Sequence, residues 1–208
     1  MTGVQTCALP IWASPPIHLR VYSQYTLLGS TASVEALARR AQADGMSHLA
    51  LTDANALYGA VAFDRACRDA GVHPIIGMTA TVAHPPPLES VEDTDAAGKP
   101  LVLLASTPEG YQSLCALSSE IQGYPDREAR MRLGLPLDVL SRHSNGLICL
   151  TGGLDGWTVH FLRTGRGDAG RTYIDRLVSI YGDRLYLGLE IQRTVDLAIA
   201  YQLAELAR

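Results

Sequence analysis

From residue 17 onward the spacing of apolar and polar positions changes period again and again. IHLRVYS (17–23) alternates with period two, placing Ile17, Leu19 and Val21 on one side, and predicts a strand. SVEALARRAQADG (33–45) puts Val34, Leu37, Ala38 and Ala41 on one face, with Ser33 as N-cap, Glu35 in the first turn and Gly45 as the stop, so a helix is expected. HLALTD (48–53) reads as a buried strand ending in a carboxylate, and LYGAVAFDRACRDAG (57–71) as a second helix stopped by Gly71. PIIGMTATVA (74–83) is a third strand, its Pro74 tolerated at the first position. A stretch rich in proline and acid (84–99) predicts a surface loop, after which PLVLLAS (100–106) resumes as a fourth strand. TPEGYQSLCALSSEIQ (107–122) is a helix capped by Thr107 with Pro108 at its first position. Residues 121–135 read as an irregular insert, LPLDVLSRHS (135–144) as a short helix and GLICLTG (146–152) as a fifth strand. GRTYIDRLVSIYGD (170–183) predicts a helix, RLYLGLEIQ (184–192) a sixth strand, and VDLAIAYQLAELAR (195–208) is helical in pattern with no stop signal. The repeated strand–helix unit predicts an α/β fold with a parallel sheet and right-handed crossovers, a barrel rather than an open sheet.

Composition narrows this. With 208 residues and 47% hydrophobic content the chain supports one sizeable core, hence a single domain. Net charge is −4, and the 17 Lys and Arg are scattered, which argues against a nucleic-acid surface because phosphate binding needs clustered cations. Cys7, Cys67, Cys115 and Cys149 lie far apart without a CxxC pair, so neither a zinc ribbon nor a disulfide framework is suggested; reduced thiols in the cytoplasm are expected. No apolar run approaches the roughly 20 residues of a membrane span, so no membrane partner is expected.

The first residues, MTGVQTCALPI, lack the basic region of a signal peptide and resemble a translated sequencing-library adapter. The expected division is therefore a non-native segment over 1–12 and a domain over 13–208 that is incomplete at its C-terminus.

Candidate chemistry is sparse. Asp53 sits at a strand-to-helix turn, where parallel α/β folds place reacting groups, but its neighbour Ala54 can neither bind a metal nor move a proton. GGLDG (152–156) lacks the Lys and Ser or Thr of a phosphate loop and reads as a tight turn. RTGRGDAGR (163–171) carries three arginines and reads as a solvated helix connection, with contact to DNA backbone as the lesser reading. His143 and His160 are isolated and predict solvent-facing or capping roles, and no serine has an acid or histidine placed to activate it. Arg39, Arg40 and Asp44 belong to an ordinary solvated helix face.

IHLRVYSQYTLL, LALTDANALYGAVAFDRACRDAGVHPIIG, LVLLASTPEGYQSLCALSSE, GLICLTGGL and DRLYLGLEIQR, in that order, resemble the PHP (polymerase and histidinol phosphatase) domain found at the N-terminus of the alpha subunit of bacterial DNA polymerase III. The resemblance implies a distorted (βα)7 barrel, truncated here after about six strands, and a parent protein that replicates DNA. It also implies a cluster of histidine and carboxylate ligands for two or three metals at one end of the barrel. In the family's first strand, histidines stand where this chain has Arg20 and Tyr22, while His18 lies two residues earlier on the same alternating face. The family's acidic residue after that strand corresponds to Gly29, and its TDH turn to Thr52, Asp53 and Ala54. A family glutamate matches Thr79, and family histidine or cysteine ligands match Pro100, Gly153 and Thr194. A pairing of Arg20 with Asp53 is expected, the guanidinium replacing a lost cation.

With so few donors left, the resemblance implies no catalytic metal in this chain, and Mg2+ only in a downstream polymerase domain. The implied role is a structural and interaction module. Its partners would be the polymerase core of the same full-length chain, a proofreading exonuclease and other replisome subunits, with DNA reached through the full-length protein. The enzyme alternative is a metal-dependent phosphoesterase, pyrophosphatase or 3′–5′ exonuclease using Asp53 and His18. A free-standing PHP protein is a third possibility, and the chain leaves replicative and error-prone parents equally open.

Overall fold

In the computed structural model, residues 15–85 and 97–207 are described. The expectation for residues 1–12, and the centre of the expected 84–99 loop, lie outside them.

Local signals placed most elements well. Helix α1 (Val34–Ala43) starts where the Ser33 hydroxyl accepts from Ala36 N–H, and ends at Gly45, whose φ of +70° suits a residue without Cβ. Gly45 N–H bonds Gln42 C=O and Met46 N–H bonds Ala41 C=O, the paired bonds that close a left-handed helix end. Strand β1 (His48–Leu51) follows, then α2 (Ala60–Asp69), which Gly71 ends by the same pair of bonds, from Gly71 to Arg68 and from Val72 to Cys67. Strand β2 (His73–Val82), strand β3 (Lys99–Ala105) and helix α3 (Pro108–Gln122) come next, with Thr107 capping Gly110 N–H as expected. Two short helices, α4 (Arg127–Leu133) and α5 (Leu137–Arg142), lead to β4 (Leu147–Thr151). Helix α6 (Trp157–Arg163), helix α7 (Gly167–Tyr181), the two-residue β5 (Leu185–Tyr186) and α8 (Asp196–Leu206) complete the order.

Among the described residues, five strands form one sheet in the order β1-β2-β3-β4-β5. The all-parallel expectation is corrected: β1–β2 and β4–β5 are parallel, whereas β3 runs antiparallel to both β2 and β4. A parallel neighbour needs a crossover. The sequence after β2 is rich in proline and acid, without a helical period, and α3, α4 and α5 lie between β3 and β4.

Two expected strands are also corrected. Residues 17–23 run beside β1, with Ala50 N–H bonding His18 C=O and Thr52 N–H bonding Val21 C=O, but Val21 N–H goes to the Thr52 hydroxyl. The expected sixth strand (184–192) pairs only at Leu185 and Tyr186, since Gly188 N–H turns to the Thr151 hydroxyl. In both places a threonine side chain replaces a backbone partner and interrupts the ladder. The second helix begins at Ala60 rather than residue 57, because Asn55 takes a φ of +57° and the chain turns through Leu57–Gly59 first. Helices α4 and α6 were not expected at all.

Burial follows the alternation. Met78, Ala80 and Val82 of β2, Leu101 and Leu103 of β3, and Leu147 and Cys149 of β4 pack against Leu114, Leu117 and Ile121 of α3, Trp157 and Phe161 of α6, and Tyr173, Leu177 and Tyr181 of α7. A second cluster joins α1 and α2 to β1 through Val34, Ala38, Ala41, Phe63, Cys67, Leu49 and Leu51. The opposite sheet face is thinner: Ala50, Val102 and Leu104, with Ile75, Ile148 and Leu150 beside them.

Candidate functional site at one end of the sheet

The end of β1, the second half of β2, the start of β3 and the end of β4 meet at one end of the sheet, and most expected site positions arrive there. Asp53 follows β1 and is 2% exposed. Its carboxylate accepts three bonds of 2.7 Å, from Ser23 N–H, the Ser23 hydroxyl and the Thr26 hydroxyl. The Thr26 oxygen in turn accepts from Ala54 N–H at 3.1 Å, so the 23–26 turn is fastened to the end of β1 from both sides. Asp53 thus clamps the 23–26 turn, with two bonds on one carboxylate oxygen and one on the other.

Arg20 corrects an expectation, since its bonds go elsewhere than Asp53. Its Nε and Nη2 donate to the Tyr22 hydroxyl at 3.2 and 3.1 Å, Nη1 donates to Gly152 C=O at 3.2 Å, and Nη2 lies 3.9 Å from the Asp155 carboxylate. Gly152 and Gly153 lie where β4 gives way to a short 3-10 turn, Gly153–Asp155. A Cβ on Gly153 would collide with the Glu190 carboxylate and stand 3.6 Å from Arg20 Nη1, which places Arg20, Gly153 and Glu190 together. Glu190 also accepts from Leu154 N–H at 3.3 Å, so the GGLDG turn presents an amide to a half-buried carboxylate. A Cβ on Gly152 would run into Pro100 C=O, so close packing demands glycine there, whereas Gly153 is favoured by its φ of +60°.

Ala54 bridges Thr79, whose hydroxyl is buried with no hydrogen-bond partner. The remaining positions do not join. His18 is exposed and contributes its carbonyl to β1, Gly29 is exposed in the loop after Tyr22, and Thr194 is exposed with its carbonyl bonded by Leu197 N–H. Among the described residues, no three His, Cys, Asp or Glu side chains gather closely enough to hold a metal ion.

Sequence reasoning missed Glu190 and Asp196. Asp196, 1% exposed, accepts from Gln192 N–H at 3.2 Å and Arg193 N–H at 2.9 Å and pairs with Arg163 at 3.4 Å, joining the start of α8 to α6. Arg163 lies in an exposed connection, as expected, yet pairs from there with buried Asp196, and Arg166 lies over the Phe161 ring. His143 caps α5 through its N–H to Leu140 C=O, as expected, whereas His160 packs edge-on against buried Trp157 rather than facing solvent. A hydrophobic run would not have revealed Asp196; its only signal was an acid in the first turn of a helical pattern.

A mixed sheet backed by helices on one face, with polar positions collected at one sheet end, defines an α/β domain. An amidohydrolase from Chromobacterium violaceum shares that fold, with a TM-score of 0.53 at 15% identity over 91% of this chain and 82% of that one. Residues 18–194 match the PHP domain, and the chain belongs to the PHP domain family. Among curated relatives, the DNA polymerase III subunit alpha of Bacillus subtilis is 38% identical over 149 residues, 72% of this chain and 12% of the relative. That of Borreliella burgdorferi is 32% identical over 177 residues, 84% of this chain and 15% of the relative. The chain thus spans about an eighth of the length of these relatives. No helix among the described residues is long and apolar enough to cross a membrane.

Proposed function

We propose that the chain is the N-terminal PHP domain of a DNA polymerase III alpha subunit whose metal site has degenerated, and that it serves DNA replication as a structural and interaction module in the cytoplasm. The polymerase relatives support the parentage. The observation that carries the loss of catalysis is Arg20, a guanidinium bonded to Tyr22 and Gly152 beside Asp155 and Glu190, where the family's first-strand ligands would stand.

The family's metals do not fit these residues. A catalytic metal takes about three protein ligands. Here Asp53 already accepts three hydrogen bonds from Ser23 and Thr26, Ala54 and Gly153 offer no donor side chain, and Pro100 offers only its carbonyl. A fixed cation at Arg20 also opposes a dication nearby. In a longer parent the outer helices would pack on the polymerase core, on a proofreading exonuclease or on other replisome subunits, and Mg2+ would serve the polymerase site downstream.

The test is hydrolysis of a phosphomonoester and of 3′-labelled single-stranded DNA by this protein with Mn2+. Rates equal to a protein-free control are expected. Metal-dependent turnover that disappears in Asp53→Asn, or a stoichiometric Mn2+ or Zn2+ whose binding depends on Asp53, would overturn the reading.

A further inference from the structure

His48 and His73 open β1 and β2 at the sheet end opposite Asp53, and they are partners in the parallel register. Their rings lie side by side, centroids 5.0 Å apart and planes inclined by 31°, close to the spacing of neighbouring strands of about 4.8 Å. Both strands are entered from helices that end alike, at Gly45 and Gly71, each with φ of +70°. The two histidine backbones are therefore set by the same rigid helix end, two or three residues upstream.

Ser47 ties the pair together. Its carbonyl accepts His73 N–H at 2.9 Å, and its hydroxyl lies 2.9 Å from His48 Nδ1. The tautomer that donates from Nδ1 to the Ser47 oxygen leaves the Nε2 lone pair of His48 directed away from the serine, which is how an outer-shell partner orients a metal-binding imidazole. His73 is exposed and His48 half-buried, so solvent water has access to both rings.

We propose that His48 and His73 form a binding site for a borderline divalent transition metal of the Cu2+, Ni2+ and Zn2+ class, with water completing the coordination shell. Imidazole nitrogen selects these ions over Mg2+ and Ca2+, which take oxygen ligands. Among the described residues no third His, Cys, Asp or Glu completes the group, so the site holds its metal exchangeably and in the order Cu2+ above Ni2+ and Zn2+. The site shares no residue with the Asp53 end and stands whether or not the reading of that end holds.

The test titrates the protein, its accessible thiols alkylated beforehand, with CuCl2, NiCl2, ZnCl2 and MgCl2 in a non-coordinating buffer, followed by calorimetry and by NMR of the histidine ring protons. One equivalent of Cu2+ is expected to broaden the His48 and His73 ring signals first, with no response to Mg2+. His73→Ala, at an exposed position, keeps the thermal melt of the parent and lowers Cu2+ and Ni2+ affinity at least about tenfold; His48→Ala does the same. Unchanged affinity in His73→Ala, or broadening centred on His18 or His143, overturns the proposal.

Discussion

Asp53 shows how a carboxylate at the end of a strand fastens a distant turn. Removing its carboxylate leaves one buried amide and two hydroxyls without their acceptor. Asp53→Ala should therefore lower unfolding free energy by about 2–4 kcal/mol, read as a shift in urea midpoint, with Asp53→Asn milder because one oxygen remains. A change below about 0.5 kcal/mol would mean the loop is held by other contacts. The thiols make a second case. Burial, and to a lesser degree the nearby Asp64 carboxylate, pushes the Cys67 thiol up to about 11 from its ordinary 9.0. In the unfolded chain it ionises first, so the unfolded state binds fewer protons than the native one between these values. The stabilisation from a neutral Cys67 is complete below pH 9 and is lost as pH rises through 11, on the order of 2–3 kcal/mol. Burial raises Cys149 in the same direction. Urea midpoints should fall across that window, and Cys67→Ala should flatten the fall. In the native protein at pH 8, a thiol reagent should modify half-buried Cys115 and spare Cys67 and Cys149.

At the scale of elements, helix ends were the most legible features. Ser33, Thr107, Pro108, Gly45 and Gly71 act through bonds that span only a few residues, so their positions in the chain are enough to place them. Gly71→Ala should cost about 1 kcal/mol, since φ of +70° is strained for a residue with Cβ while nothing crowds the site; equal stability would place the helix end elsewhere. The short or interrupted strands were not legible, because the deviations at Val21 and Gly188 depend on the hydroxyls of Thr52 and Thr151, 31 and 37 residues away. Helix α6 follows a glycine-rich turn, and its Trp157, Val159 and Phe161 are buried by the tertiary core rather than by a regular amphipathic stripe. Asp196→Ala should loosen α8 from α6 at a cost of about 1–2 kcal/mol, the pairing with half-exposed Arg163 discounted for screening. Faster amide exchange along α8 is the measurement.

For the whole molecule, the two sheet faces differ. One is covered by α3, α6 and α7, while on the other Leu19, Ile75, Leu104, Ile148, Leu150 and Tyr186 line an apolar cavity of about 490 Å³ open to solvent. An environment-sensitive dye such as ANS should bind the native protein there, and Leu150→Glu should abolish most of its fluorescence gain; full retention of the signal would place the dye elsewhere. By itself the sequence determined the α/β class, the family and several helix limits, since periodicity, caps and side-chain chemistry are carried by neighbouring residues. Only the tertiary structure decided that β3 runs antiparallel, that Arg20 serves Tyr22 and Gly152 rather than Asp53, that Glu190 reaches the GGLDG turn and that Asp196 is a buried acid. Those outcomes hang on bonds between residues dozens of positions apart, whose energies exist only once the strands have met.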